Sequence, residues 1–165
     1  MSEIEVLKEI RGAIKEGNTA RVSELFGSYP EFIQKDTAFG SWLHVAAHAG
    51  KLEVVKRLVE LGADVNRRGG ILTGTPINEA SSEGHIAVVQ YLLTHGARLD
   101  VAEPEQNPLF SAIRGGHLEI VRLLVDSGID LHVKYTGESM KNMDALAFAR
   151  ERGQQKIANL LLNLL

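Results

Sequence analysis

Apolar residues recur along this chain at helical spacing, but only in short runs broken by glycine. From Gly40 to Asn66 the sequence GSWLHVAAHAGKLEVVKRLVELGADVN predicts two short antiparallel helices joined by a turn. The first runs from Trp42 to about His48, with Ser41 as its N-cap. Gly50 supplies the left-handed residue that ends it, and Lys51 begins the second. Leu52, Val55, Leu58 and Val59 then share a stripe that stops at Gly62. A helix pair this short cannot bury its own apolar faces and has to stack on a neighbour.

The neighbours are copies of the same pattern. The dividing glycine returns at Gly17, Gly50, Gly84, Gly116 and Gly153, at spacings of 33, 34, 32 and 37. Four residues earlier stand Ala13, Ala46, Ala80, Ala112 and Ala149. Five residues after the glycine come Val22, Val55, Val89, Val121 and Ala158, and eight after it Leu25, Leu58, Leu92, Leu124 and Leu161. Five registered helix pairs with a period near 33 predict an all-α solenoid. Its units fall at about 1–35, 36–68, 69–102, 103–136 and 137–165 of a single domain. Ser41, Thr75, Asn107 and Asp144 share the N-cap position, and Pro76 and Pro108 follow two of them at the first helical position.

The same residues resemble the ankyrin repeat. Its opening T-P-L-H-x-A is matched by SWLHVA at Ser41 to Ala46, TPINEA at Thr75 to Ala80 and NPLFSA at Asn107 to Ala112. Its closing part is matched by GADVN at Gly62 to Asn66, GARLD at Gly96 to Asp100 and GIDLH at Gly128 to His132. The resemblance implies an ankyrin solenoid with finger loops, a role in protein binding, and a structural His44 that ties neighbouring loops by hydrogen bonds.

The two ends depart from the pattern. In the first unit Ile4, Leu7, Ile10 and Ile14 follow helical spacing, with Lys8, Arg11 and Lys15 on the wet side. Arg21 and Glu24 then stand on the second helix, as the exposed side of a terminal cap requires. Asn18 to Phe26 is the cap helix, its exit set by Pro30. In the last unit Ile157, Leu160, Leu161 and Leu164 form the stripe. Leu162 and Leu165 lie off it, as either a partner surface or a fraying end.

Individuality lies in the fingers. Eight residues separate Asn66 from Thr75, six separate Asp100 from Asn107, and eleven separate His132 from Asp144. The last finger, VKYTGESMKNM, holds Tyr135, Met140 and Met143 among Lys134, Glu138 and Lys141. It is either a tolerated insertion or a contact surface. On a concave face built from fingers and first helices, the candidate partner-binding residues are Trp42, His48, Arg67, Arg68, Ser82, Glu83, Glu103, Arg114, Lys134, Tyr135, Glu138, Met140, Lys141, Glu151 and Arg152. Trp42, in place of the usual proline, is either a buried wedge against the first unit or an anchor for a partner.

Composition narrows the chemistry. Hydrophobic residues make up 44% and aromatics 5%, a balance that suits stacked helices with small residues between them. The net charge of −3 opposes a general nucleic-acid binder. No apolar run is long enough to span a bilayer, and the acidic N-terminus is unlike a secretory signal. The absence of cysteine excludes a disulfide framework and fits a cytoplasmic protein, expected to be a monomer when free. His44 and His48 stand four apart, a spacing compatible with a metal, but no third ligand is evident in the sequence. His85 and His117 belong to turns, and Arg67-Arg68-Gly69-Gly70 lacks the lysine and the setting of a phosphate loop. No nucleophile–base set can be assembled, so neither enzyme activity, cofactor nor metal is expected.

Two functions remain. One is an immunity protein or inhibitor that neutralises a cognate bacterial toxin. The segment DALAFARERGQ at Asp144 to Gln154 resembles bacterial ankyrin-repeat proteins that act as immunity partners. The other is a general adaptor that links cellular proteins. The unequal fingers speak against a consensus-designed binder.

Overall fold

The computed structural model describes residues 1–70 and 73–165, so positions 71 and 72 of the second finger lie outside the described residues. The chain runs through α1 (Glu3–Glu16), α2 (Thr19–Ser28), a 3-10 helix (Pro30–Gln34), α3 (Trp42–His48), α4 (Leu52–Glu60) and α5 (Pro76–Glu83). It continues through α6 (Ile86–Thr94), α7 (Pro108–Gly115), α8 (Leu118–Asp126), α9 (Ala145–Glu151) and α10 (Gln155–Leu162). These helices pair antiparallel and the pairs stack in chain order. The all-α repeat architecture expected from the glycine register is the one found.

The helix ends follow the cap chemistry. Asn18, Asn107 and Asp144 accept backbone N–H bonds at 3.0, 2.9 and 2.9 Å. Ser2 and Glu5 close a reciprocal capping box at the start of α1. The dividing glycines have a second task. Gly84 lies at φ +86°, and a Cβ there would meet the ring of His117 at 2.6 Å. Gly50 stands in the same relation to His85, at 2.5 Å. Each ring crosses the preceding turn to donate from Nε2 to a carbonyl, His85 to His48 and His117 to Ser82, both at 2.9 Å. The turn histidines therefore bolt one unit to the one before it.

The core is the repeat register made solid. Val22, Val55, Val89, Val121 and Ala158 are buried, as are Leu25, Leu58, Leu92, Leu124 and Leu161. Ala13, Ala46, Ala80, Ala112 and Ala149 lie buried where first helices meet. First helices share more contact with one another than second helices do, which curves the stack toward the first-helix side.

Two sequence expectations at the ends need correction. On α1 the buried stripe is Val6, Ile10, Ala13 and Ile14, whereas Ile4 is 65% exposed. On α10 Leu164 is 48% exposed, like Leu162 and Leu165, because the helix ends at Leu162 and carries only Ile157, Ala158 and Leu161 inward. On α2 Arg21 is held between Glu9 and Glu24 by ion pairs.

Candidate protein-binding surface

The base of the fingers is a polar ladder built into the repeat. Ser41 donates from its backbone N–H to His44 Nδ1 at 3.1 Å, so that nitrogen is the acceptor and Nε2 carries the proton. Nε2 then reaches the Gly74 carbonyl at 3.2 Å, which joins α3 to the next finger. Burial pushes the His44 pKa below its ordinary value, favouring this neutral form. The structural role implied for His44 is thus present.

One unit later Asn78 takes the histidine position. Thr75 donates from N and Oγ1 to Asn78 Oδ1, both at 2.9 Å, and Asn78 Nδ2 donates to Ser111 Oγ at 3.3 Å. In the next unit the position is Phe110, which has no polar atom to offer. The bridging group there comes from the following finger. Tyr135 OH donates to the Val101 carbonyl at 2.8 Å and accepts from Asn107 Nδ2 at 3.0 Å. Its ring meets Phe110 edge-on at 5.0 Å, and Phe110 stacks on Phe148 at 4.7 Å.

Tyr135 is therefore a correction: it is 7% exposed and pins the last finger, so it does not offer itself to a partner. The long finger closes on itself through paired Tyr135–Met143 backbone bonds of 3.0 and 2.9 Å. Lys134, Glu138 and Lys141 are left exposed and Met140 half-buried. Trp42 is the second correction. It is 1% exposed, with Nε1 donating to the Phe32 carbonyl at 2.8 Å and Phe26 edge-on at 6.4 Å. It is the wedge against the first unit.

The remaining candidates fall into two groups. Arg67 pairs with Asp36 at 2.6 Å and Arg68 with Asp100, linking three successive fingers. The Asp36 carboxylate holds the Arg67 guanidinium above its usual pKa. Glu103 is exposed on the third finger. At the ends of the first helices stand His48, Ser82, Glu83, Arg114, Glu151 and Arg152. His48 Nδ1 lies 3.2 Å from Glu79 and 3.8 Å from Glu83, carboxylates of the next unit that lie more than 30 positions away in the sequence. Among the described residues no group of three or more such side chains is arranged to hold a metal. Half-buried Arg114 has its pKa lowered by burial and then by the charge of Arg152, whose guanidinium lies 5.1 Å from the Phe148 ring.

Between the first finger and helices α1, α3 and α5 opens a groove of about 510 Å³. Arg11, Lys15, Phe39, His44, Val45, His48, Ala49 and Glu79 line it. Phe39 is 45% exposed, and the Arg11 guanidinium stacks on its ring at 4.3 Å. Of these only His48 was among the candidate contacts. Arg11 and Lys15 stand four apart on the face the sequence marks as wet, but only the folded finger shows that Phe39 closes over Arg11.

Curved stacks of helix pairs with finger loops define a class of repeat scaffold, and the comparisons name it. The family described as "Ankyrin repeats (3 copies)" matches residues 10–103, 43–135 and 99–164. The chain belongs to the ankyrin-repeat family, whose repeats are non-catalytic and indicate a protein-binding scaffold. It is 34% identical over 151 residues to the ankyrin repeat and KH domain-containing protein mask-1 of Caenorhabditis elegans, covering 73% of this chain and 6% of that protein. It is 28% identical over 161 residues to the palmitoyltransferase AKR1 of Lachancea kluyveri, covering 95% of this chain and 22% of that one. A putative ankyrin repeat protein of Rickettsia felis is 32% identical over 100 residues, covering 59% of this chain and 44% of that one. The chain thus spans less than half the length of these relatives. No helix among the described residues is long and apolar enough to cross a membrane.

Proposed function

We propose that the chain is a general adaptor that binds a protein partner on its first-helix face and acts by binding, not by catalysis. The observation that carries this is the groove between the first finger and α1, α3 and α5, which leaves Phe39 and the cations Arg11 and Lys15 open beside an apolar floor. An exposed aromatic beside an arginine is a pairing enriched at interface hot spots. The contact surface extends along the helix ends through His48, Ser82, Glu83, Arg114, Glu151 and Arg152. It includes the finger residues Arg67, Arg68, Glu103, Lys134, Glu138, Met140 and Lys141. Trp42 and Tyr135 drop out of it.

The adaptor reading is preferred to a toxin inhibitor because the relatives carry this repeat as a small part of longer proteins. The segment that suggested an inhibitor does folding work instead: Asp144 caps α9, and Ala145, Phe148 and Ala149 are buried. The likeness to a palmitoyltransferase does not bring transferase chemistry here, since the match to AKR1 spans 22% of its length.

The protein has no cysteine, so single cysteines can carry a photocrosslinker to chosen faces. Labels at Ala49→Cys and Arg114→Cys should capture one partner set, and a label at exposed Gln90→Cys on α6 should not. Equal capture from both faces would sink the concave-face reading. An adaptor should hold two captured proteins in one complex; a single protein whose activity is lost on capture would restore the inhibitor.

A further inference from the structure

Resting on the concave-face reading, we infer that the Phe39 groove selects an extended segment of a protein partner in which an acidic residue stands within two positions of a large apolar one. The groove is polarised. On the α1 side Arg11 and Lys15 enter none of the ion pairs found among the described residues, whereas Arg21, Lys35, Arg67 and Arg68 each do. Arg11 Nε is shielded from solvent yet finds no acceptor. On the α5 side Glu79 already faces His48 at 3.2 Å, with Glu83 beyond. A carboxylate entering the groove is therefore drawn to the α1 wall and repelled from the α5 wall.

The floor supplies the apolar half of the code. Val45 and Ala49 lie between the walls and the Phe39 ring stands over one side. A volume of about 510 Å³ is in the range that takes one anchoring side chain with its flanking backbone. Stacking on Phe39 also holds the Arg11 guanidinium before any ligand arrives, which reduces the ordering cost of binding a carboxylate. Residues four apart on a helix sit about 5–6 Å from each other, so one carboxylate can engage both Arg11 and Lys15. A nucleic acid would bring phosphates but no aliphatic side chain for this floor, and would meet the Glu79 wall. The groove is thus matched to an acidic–apolar peptide.

The test uses the whole chain and a random heptapeptide display library. The wild type should enrich Asp or Glu within two positions of Leu, Met or Phe. The double variant Arg11→Glu/Lys15→Glu, checked for an unchanged melting profile, should lose the acid and enrich Lys or Arg instead. A synthetic peptide of the wild-type motif should bind that variant at least about tenfold more weakly. Arg11→Lys, which keeps charge but loses the planar fork, should give an intermediate loss. Identical motifs for wild type and double variant, or no motif at all, would overturn the inference. A third variant, folded Ala49→Arg, separates the two levels. If it abolishes binding while the motif carries no acid, concave-face binding stands and only the charge reading fails. Peptides that bind it as well as the wild type would refute both.

Discussion

At the scale of single residues, His44 couples the fold to pH. Its neutral ring accepts from Ser41 at Nδ1 and donates to Gly74 at Nε2, so a second proton would destroy the first of these bonds. Burial is the main cause of its lowered pKa; the bond to the Gly74 carbonyl and the charges of Glu79 and Asp36 pull the other way, and Arg67 adds to the lowering. The unfolded chain therefore takes up the proton first, near the ordinary value of about 6.5. Stability from this group is complete above that pH and is lost as pH falls toward the folded value. Urea melts at pH 7.5 and pH 5 should show this loss, and His44→Asn, which keeps a polar bridge without titrating, should reduce it. An unchanged slope would remove His44 from the account. Tyr135 offers the companion case. Tyr135→Phe keeps the contact with Phe110 but strands the buried Asn107 amide, so it should cost about 1–3 kcal/mol in a denaturant melt.

At the scale of the helix pair, each second helix adds one fully buried leucine to the core between units. Leu58 and Leu92 are fully buried in α4 and α6. Leu58→Ala and Leu92→Ala should each destabilise by roughly 2–5 kcal/mol; a loss under about 1 kcal/mol would mean the cavity collapses without cost. This much of the fold was legible in the sequence, because glycine, alanine, valine and leucine keep fixed offsets from one another and each offset has one physical cause. The fingers were less legible. Their lengths vary, and the bonds that join one finger to the next span about a full repeat, as with His44 and Gly74 or Tyr135 and Val101. Tyr135 looked like a contact residue because an aromatic in a long loop is a fair sign of one. Nothing local shows that Phe110 leaves a bridging position vacant for it to fill. The groove was missed for the same reason: Phe39 and Arg11 are 28 positions apart in sequence and meet only when the first finger folds over α1.

At the scale of the whole molecule, a linear stack has no contacts between distant units, so each end is only as stable as its own cap and one interface. The ends are unequal here. The N-terminal unit has a closed capping box, the Lys35–Glu3 pair and Arg21 between two carboxylates, and Trp42 wedges it to the next unit. Each exposed pair is worth little alone, but together they fix a polar surface over a buried stripe. The C-terminal unit ends on α10, whose contact with α8 is the slightest between neighbouring second helices, and it leaves Leu162, Leu164 and Leu165 open to water. Opening should therefore propagate from α10 and α9 toward the middle. Native-state amide exchange should show the lowest protection in α10, a middle value in α1 and α2, and the highest in α5 and α7, where first-helix packing is closest. A Leu162→Lys/Leu165→Lys variant removes only exposed apolar surface and should leave that order intact. Uniform protection from α1 to α10 would mean that the five units open as one body and that the difference between the two ends has no energetic weight.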